Sequence, residues 1–451
     1  MISIGIDIGT TSISAISADA ENGNIAEVVT LPNNSFMKDV EEFEKVQNVG
    51  YILDTVKDSL NKLIGNNKVC SIGVTGQMHG IVYVNSLGLA VSPLYTWQDL
   101  RGNQLYKNGK TYAEYLSEVT GYSLATGFGI VTHFYNLKNG LVPKEATCFC
   151  TIHDYIVMHL TGNKAPVIHI SDAASFGIFD LKSSTFDTNA LSKIGIDIAM
   201  LPKVIKETEC LGFYKNIPVS VAIGDNQASF LGSVKGENCL LINVGTGSQV
   251  SVLQNCLETD DNDIEVRPLC NDKNILVGSS LCGGRAYAIL ENFFESVVGI
   301  FPETASTSFY EKMDELAGTK GEALTVSTFF GGTRKNPGKR GSIENISTDN
   351  FTPSALVKGF LNGMVSELAE LYNKMKPYSD KPKLLVGSGN GIRKNKPLRK
   401  LLTETFKMDL VVPKNKEEAA FGAMIFSLVA ANKFKSLISA LNSLISYVEE
   451  E

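Results

Sequence analysis

A chain of 451 residues is longer than one hydrophobic core usually sustains, so its length predicts two domains of roughly 200 residues each. Hydrophobic residues at 43% and charged residues at 20% describe a globular chain with a sizeable core and exclude a disordered or fibrous one. A formal charge of -7 without any basic block gives no footprint for a nucleic-acid backbone or an anionic membrane surface, which leaves small molecules as the expected partners.

The first element is the run IGIDIGTTSISAIS at 4–17. Alternation and β-branched residues on both sides of Gly9 predict a hairpin. Successive N–H groups of a glycine turn form an anion-binding concavity, to which a threonine hydroxyl adds a donor. Asp7 lies inside the first strand, where an unpaired charge is costly, so a cation is its expected partner. The N-terminus has no basic flank or cleavable small-residue site, which predicts a cytoplasmic protein.

Apolar residues at 46, 49, 53, 56, 60 and 63 step by three and four, the stripe of a helix. A buried strand, Val69 to Val74, follows and ends in the loop GQMHG, glycine-bracketed at 76 and 80, where open α/β sheets place their ligands. His79 in that loop is either a ligand contact or structural. TWQDLR at 96–101 holds the single tryptophan of the chain. On a strand, Trp97 and Asp99 share a face and suit a sugar, the ring covering C–H surface and the acid accepting hydrogen bonds from hydroxyls; core packing of Trp97 is the equal alternative. TIHDY at 151–155 is either a polar site at His153 and Asp154 or a helix-start cap. None of the five histidines falls in a metal-binding spacing, and the eight cysteines, with Cys148 and Cys150 the one close pair, read as reduced structural thiols.

Pro218 precedes a fresh apolar strand, Val219 to Ile223, and marks a boundary between domains 1–217 and 218–451. Asp225 follows that strand and is either the N-cap of a helix or a general base that accepts a hydroxyl proton as a phosphoryl group arrives. LLINVGTGSQVSVL at 240–253 then echoes the opening run, Gly9 matching Gly245, Thr10 matching Thr246 and Asp7 matching Asn243. Two copies half a chain apart predict two similarly folded halves whose turns hold two ends of one polyphosphate. GGTRKNPGKRG at 331–341 departs from a Walker A loop in spacing and in its Arg340, and reads as a basic surface loop from which Arg334 reaches a phosphate. KLLVGSGNGIRKNKPLRKLLTETF is a strand, a glycine turn and a helix. Ala419 to Ala431 is uncharged for only 13 residues, too short to span a bilayer, and predicts a buried small-residue helix. Alternating strands and helices give an α/β class.

In this order DIGTTS, GQMHG, TWQDLR, IGDNQAS, NVGTGS and VGSGNGIRKN resemble the motifs of the FGGY carbohydrate kinases, sugar kinases of the actin-like ATPase superfamily, over essentially the whole chain. The resemblance implies two ribonuclease H-like α/β domains flanking a central cleft, with ATP and Mg2+ as cofactors. It implies Asp225 as catalytic base, Asp7 and Asp225 at the metal, and Gly9, Thr10, Thr11, Gly245 and Thr246 around the ATP phosphates. Gly283, Gly284, Gly387, Ser388, Gly389, Asn390 and Asn395 would border the nucleotide. Gln77, Met78, His79, Trp97, Asp99 and Asn226 would contact the sugar. Within the family, TWQDLR, ATGFG, TIHDY and SDAASFG are most similar to members that phosphorylate the ketose sedoheptulose, while those acting on xylulose share GQMHG. The segment TGFGIVTHFYNLK lacks the lysine expected early in it, on the sugar side. A non-catalytic actin-like ATP-binding protein is the alternative of another class, one that leaves GQMHG and TWQD without a purpose. The expected assembly is a monomer or a homodimer.

Overall fold

The computed structural model describes residues 1–270, 272–300, 309–333, 336 and 338–448. It divides into two units: 1–236 with 267–273 and 417–446, and 237–266 with 274–416 and 447–451.

The first unit begins with the expected hairpin, β1 (Ile2–Ile8) and β2 (Ser12–Asp19), antiparallel with Asp7 opposite Ser14. An antiparallel β3 (Ile25–Pro32) flanks β2. Helix α1 (Val49–Ile64) buries Val49, Ile52, Leu53, Val56, Leu60 and Leu63, the expected stripe, and the Asn48 side chain caps it by accepting from the Tyr51 N–H. Val46 falls outside: it pairs with Tyr95 in a two-residue strand, because the cap at Asn48 sets the helix start at Val49, three residues later. β4 (Val69–Gly76) runs parallel to β1 and brings Gly76 beside Ile8. α2 (Ile152–Thr161) starts on a Thr151 cap. The strand expected at 219–223 is broken in two, β5 (Ile217–Ser220) and the pair Ile223–Gly224, both parallel to β4. That pairing keeps residues 218–236 with the first unit, so the division falls at Gly236 and not at 217. Helix α3 (Asp225–Leu231) follows.

The second unit repeats the plan. β6 (Cys239–Val244) and β7 (Ser248–Gln254) form the second hairpin, β8 (Asn274–Ser280) lies antiparallel against β7, and helices α4 (Gly284–Val298) and α5 (Pro353–Met375) follow. β9 (Leu384–Ser388) runs parallel to β6; α6 (Gly389–Lys394), α7 (Lys396–Phe406) and the parallel strand β10 (Asp409–Val411) complete it. Strand order β3-β2-β1-β4-β5 thus matches β8-β7-β6-β9-β10, three antiparallel strands and then two parallel ones. The sequence echo is the shared hairpin of two like sheets.

The small-residue helix Glu418–Ala430 belongs to the first unit and is buried, as expected. It approaches its neighbours backbone to backbone. A Cβ on Gly5 or Gly73 would stand 1.9 Å from the carbonyl oxygens of Ala420 and Ala423, and one on Gly422 would stand 1.8 Å from that of Ala228. Contacts this close admit no side chain. They seat the helix directly on β1, β4 and α3, the elements that carry Asp7 and Asp225. The hydroxyls of Ser3, Ser71 and Ser427 satisfy one another in the same seam, Ser3 to Ser71 at 2.6 Å and Ser71 to Ser427 at 2.9 Å.

Among the described residues all eight cysteines are free, and no helix is long and apolar enough to cross a membrane. Arg334 lies outside the described residues.

Candidate active site

Both GT turns are held by their carbonyls. In the first, the Gly9 carbonyl accepts from Asn33 Nδ2 at 2.8 Å, that of Thr10 from Gln47 Nε2 at 2.9 Å, and that of Thr11 from the Asn33 N–H at 2.8 Å. In the second, Gly245 accepts from the Gly284 N–H at 2.9 Å, Thr246 from the Arg285 N–H at 3.0 Å, and Gly247 from the Gly245 N–H at 3.0 Å. What such turns offer a ligand is amide and hydroxyl donors, the chemistry of an anion site. Thr11, Gly245 and Thr246 are exposed. Thr10 differs from the expectation, since its hydroxyl proton is already donated to Gln77 Oε1 at 3.2 Å.

Gly283 and Gly284 sit where the first turn of α4 meets the second GT turn. A Cβ on Gly283 would stand 2.5 Å from the Gly247 backbone and one on Gly284 2.4 Å from the Gly245 carbonyl oxygen, so only glycine lets that N-terminus reach the turn. Gly387 and Ser388 end β9, and Ser388 Oγ accepts from Asn243 Nδ2 at 2.8 Å, which ties β9 to the second hairpin. Gly389 has φ +82 and packs on the Val244 carbonyl, where a side chain would be both strained and blocked. Asn390 is exposed beside it. Asn395 is buried and accepts from the Leu398 N–H at 2.7 Å as the N-cap of α7, so its carbonyl oxygen is committed to the helix.

Asp7 is the next-to-last residue of β1 and Asp225 opens α3. The cap of α3 is Gly224, with no side-chain bond, so Asp225 is the first helical residue and the capping alternative does not hold. Burial pushes the Asp225 carboxyl up to about 6; the His153 cation holds it down, Asp172 adds to the rise, and Arg267 opposes it. Burial, then the negative charges of Asp225 and Glu417, push Asp7 up to about 7. The negative charge that Asp225 presents to Asp7 favours a cation beside this pair of carboxyls. Among the described residues no group of three or more His, Cys, Asp or Glu side chains is arranged to hold a metal ion. The hard oxygens of one or two carboxylates, completed by water and phosphate, nevertheless fit Mg2+, which seldom takes an all-protein cage.

Below this rim lies a buried network that the sequence showed only as TIHDY and SDAASFG. The His153 Nε2 stands 3.1 Å from Asp172 Oδ1, an ion pair whose angles fall outside a hydrogen bond. The Ser171 hydroxyl donates to Asp172 Oδ2 at 3.3 Å and accepts from the Gly224 N–H at 3.0 Å, one residue before Asp225. His153 Nδ1 stands 3.1 Å from where a Cβ on Gly76 would lie, and Gly76 pairs with both Ile8 and Gly224. The cap of α2 is Thr151, which accepts from the Asp154 N–H, so His153 has no capping role.

On the expected sugar side the residues separate. Trp97 and Asp99 lie in a turn and not on a strand. Trp97 is 46% exposed, whereas Asp99 is fully buried. Asp99 accepts from the Arg101 N–H at 3.1 Å, Arg101 Nε at 2.6 Å, Arg101 Nη2 at 3.1 Å and the Lys45 N–H at 3.0 Å. Four donors saturate a carboxylate, so Asp99 has no lone pair to offer a sugar; it anchors the loop that presents Trp97. Gln77 and Met78 are buried. His79 adopts φ +71, stacks on Phe128 with centroids 4.7 Å apart, and its Nδ1 is 2.7 Å from the Ser175 carbonyl, which holds the ring in one orientation. Asn226, on the first turn of α3, is partly exposed.

The chain matches two family models, "FGGY family of carbohydrate kinases, N-terminal domain" over residues 2–232 and the C-terminal domain of the same family over residues 240–431. It is 26% identical to sedoheptulokinase of Mus musculus over 95% of this chain and 97% of that one. It is 24% identical to xylulose kinase of Staphylococcus xylosus over 98% of this chain and 94% of that one. The crystal structure of ligand-bound xylulose kinase from Lactobacillus acidophilus superposes with a TM-score of 0.84 at 20% identity, covering 99% of this chain and 93% of that one, a likeness of fold.

Proposed function

The chain belongs to the FGGY family of carbohydrate kinases, and from that premise we propose that it transfers the γ-phosphoryl group of ATP to a terminal hydroxyl of a ketose, sedoheptulose, yielding sedoheptulose 7-phosphate. The observation that carries the transfer chemistry is the pair of carbonyl-tied GT turns, one in each unit, together with a half-buried, uncapped aspartate at the start of α3. The narrower choice of sugar rests on the similarity to the mouse sedoheptulokinase.

In this reading the turn amides, with Thr11 and Thr246, bind phosphate oxygens. Trp97 covers the C–H face of the sugar, and His79, fixed by Phe128 and Ser175, orients it. Asp225 accepts the proton of the attacking hydroxyl, and the His153 cation, itself held charged by Asp172, keeps that carboxylate available near neutral pH. Asp7 and Asp225 would hold Mg2+, which when bound neutralises phosphate charge. Most of the acceleration then comes from positioning and charge.

Asp225→Asn tests the assignment: removing a general base costs about 10²- to 10⁴-fold in kcat, with ATP binding retained. Turnover within a few-fold of wild type rejects Asp225 as the base. A coupled assay across sedoheptulose, xylulose, ribulose and glycerol tests the substrate, and a higher kcat/KM for xylulose rejects sedoheptulose.

A further inference from the structure

Four hydrogen bonds around Thr10 link side chains for which the reading above has no joint use. Trp97 Nε1 donates to Thr10 Oγ1 at 3.0 Å, and Thr10 Oγ1 donates to Gln77 Oε1 at 3.2 Å. Gln77 Nε2 donates to Gln47 Oε1 at 2.8 Å, and Gln47 Nε2 returns to the Thr10 carbonyl at 2.9 Å. The last three close a ring, and the first hangs Trp97 from it. Gln47 and Gln77 are buried, at 0% and 2% exposure.

The ring has one self-consistent polarity. A threonine hydroxyl has a single proton, so donating it to Gln77 fixes Oε1 toward Thr10 and Nε2 toward Gln47. That in turn aims Gln47 Oε1 at Gln77 and its Nε2 at the turn. Reversing either buried amide sets donor against donor and acceptor against acceptor, so the members keep or lose their arrangement together. The two outward parts of the unit then serve different substrates: the exposed indole belongs to the sugar side, and the Gly9–Thr11 turn belongs to the phosphates. Gln47 lies behind both and in this reading touches neither.

We infer that Gln47 is a positioning residue that couples the two substrates, transmitting the setting of Trp97 against the sugar to the phosphate turn at Thr10 and the reverse. The inference rests on the kinase reading and deepens it. Its first consequence is reciprocity: a nucleotide on the turn tightens sugar binding by the factor with which sugar tightens nucleotide. Its second is specificity of timing, since a turn set by the sugar discourages ATP hydrolysis in its absence.

Trp97 is the only tryptophan of the chain, so intrinsic fluorescence of the full-length protein reads the coupled group directly. The ketose with the highest kcat/KM in the panel is titrated with and without saturating AMP-PNP. In wild type the nucleotide tightens sugar binding by about fivefold or more. In Gln47→Met the factor falls below about twofold while sugar affinity without nucleotide stays within about twofold of wild type, and ATP hydrolysis without sugar rises relative to sugar phosphorylation. Thr10→Val breaks the ring from the other side and loses the coupling. Thr10→Ser, which keeps the hydroxyl, restores it, a contrast that loss of packing does not produce. Thermal melts followed by circular dichroism establish folding, and if Gln47→Met does not fold the Thr10 pair decides. A coupling factor absent from wild type, or unchanged in Gln47→Met or Thr10→Val, overturns the inference. A folded wild type that phosphorylates no ketose overturns the kinase reading instead.

Discussion

The His153–Asp172 pair makes stability depend on pH in a window where no other buried histidine acts. Burial disfavours the His153 cation, but Asp172 at 3.1 Å, with Asp154 and Asp225 behind it, overrides burial and pushes the histidine up to about 9 from an ordinary 6.5. The folded state therefore binds this proton more tightly than the unfolded chain does. Its stabilisation is fully present below pH 6.5 and is lost as pH rises through 9. At about 1.4 kcal/mol per tenfold in proton affinity, the gap amounts to about 3 kcal/mol. His133 and His169 are pushed down to about 4 by burial, so their contributions run the other way, lost as pH falls from 6.5 toward 4. Urea denaturation followed by far-ultraviolet circular dichroism, from pH 6 to 10, should show wild type losing about 3 kcal/mol from this pair above pH 7. In His153→Gln the fall over that interval is smaller by about this amount, what remains coming from the raised carboxyls of Asp7 and Asp154 and the raised thiols of Cys148 and Cys150. The same variant removes the cation that holds the Asp225 carboxyl down, so kcat at pH 7 falls as well. Parallel wild-type and variant curves between pH 7 and 10 would refute the charged pair.

Gly422→Ala places a methyl 1.8 Å from the Ala228 carbonyl and forces α3 off its helix; a loss of about 1–3 kcal/mol is expected in urea melts, together with a fall in kcat because α3 carries Asp225. An unaltered melt would show that the seam yields freely. Asp99→Ala leaves the buried Arg101 guanidinium with Glu44 and Asn136 alone and is expected to cost about 3 kcal/mol or more of stability, with the midpoint of unfolding falling before any change in sugar KM. A selective rise in sugar KM with unchanged stability would restore Asp99 to direct sugar contact.

The sequence by itself determined the architecture. Alternating apolar residues around a GT turn can form little but a hairpin, and repeating that pattern at 240–253 obliges the second half to build a like sheet, as the matched strand orders show. A run of small residues at 419–431 can bury itself only by close backbone packing, and it does. Motif order was enough for the family, because each motif is a local stretch whose turn chemistry travels with it.

Tertiary structure decided which polar groups remain available. Asp99 reads as a ligand until Lys45 and Arg101 fill its lone pairs, and Asn395 until α7 takes its oxygen. Thr10 has its proton claimed by Gln77, 67 residues away. His153 and Asp172 sit 19 positions apart in sequence, with nothing local to pair them, and they meet only in the fold, where α2 packs against β4 and sets His153 beside Gly76. Residue type and spacing reveal what a side chain can donate or accept. Whether that capacity has already been used depends on partners brought near by the fold, because a hydrogen bond is saturable and a charge acts through whatever surrounds it.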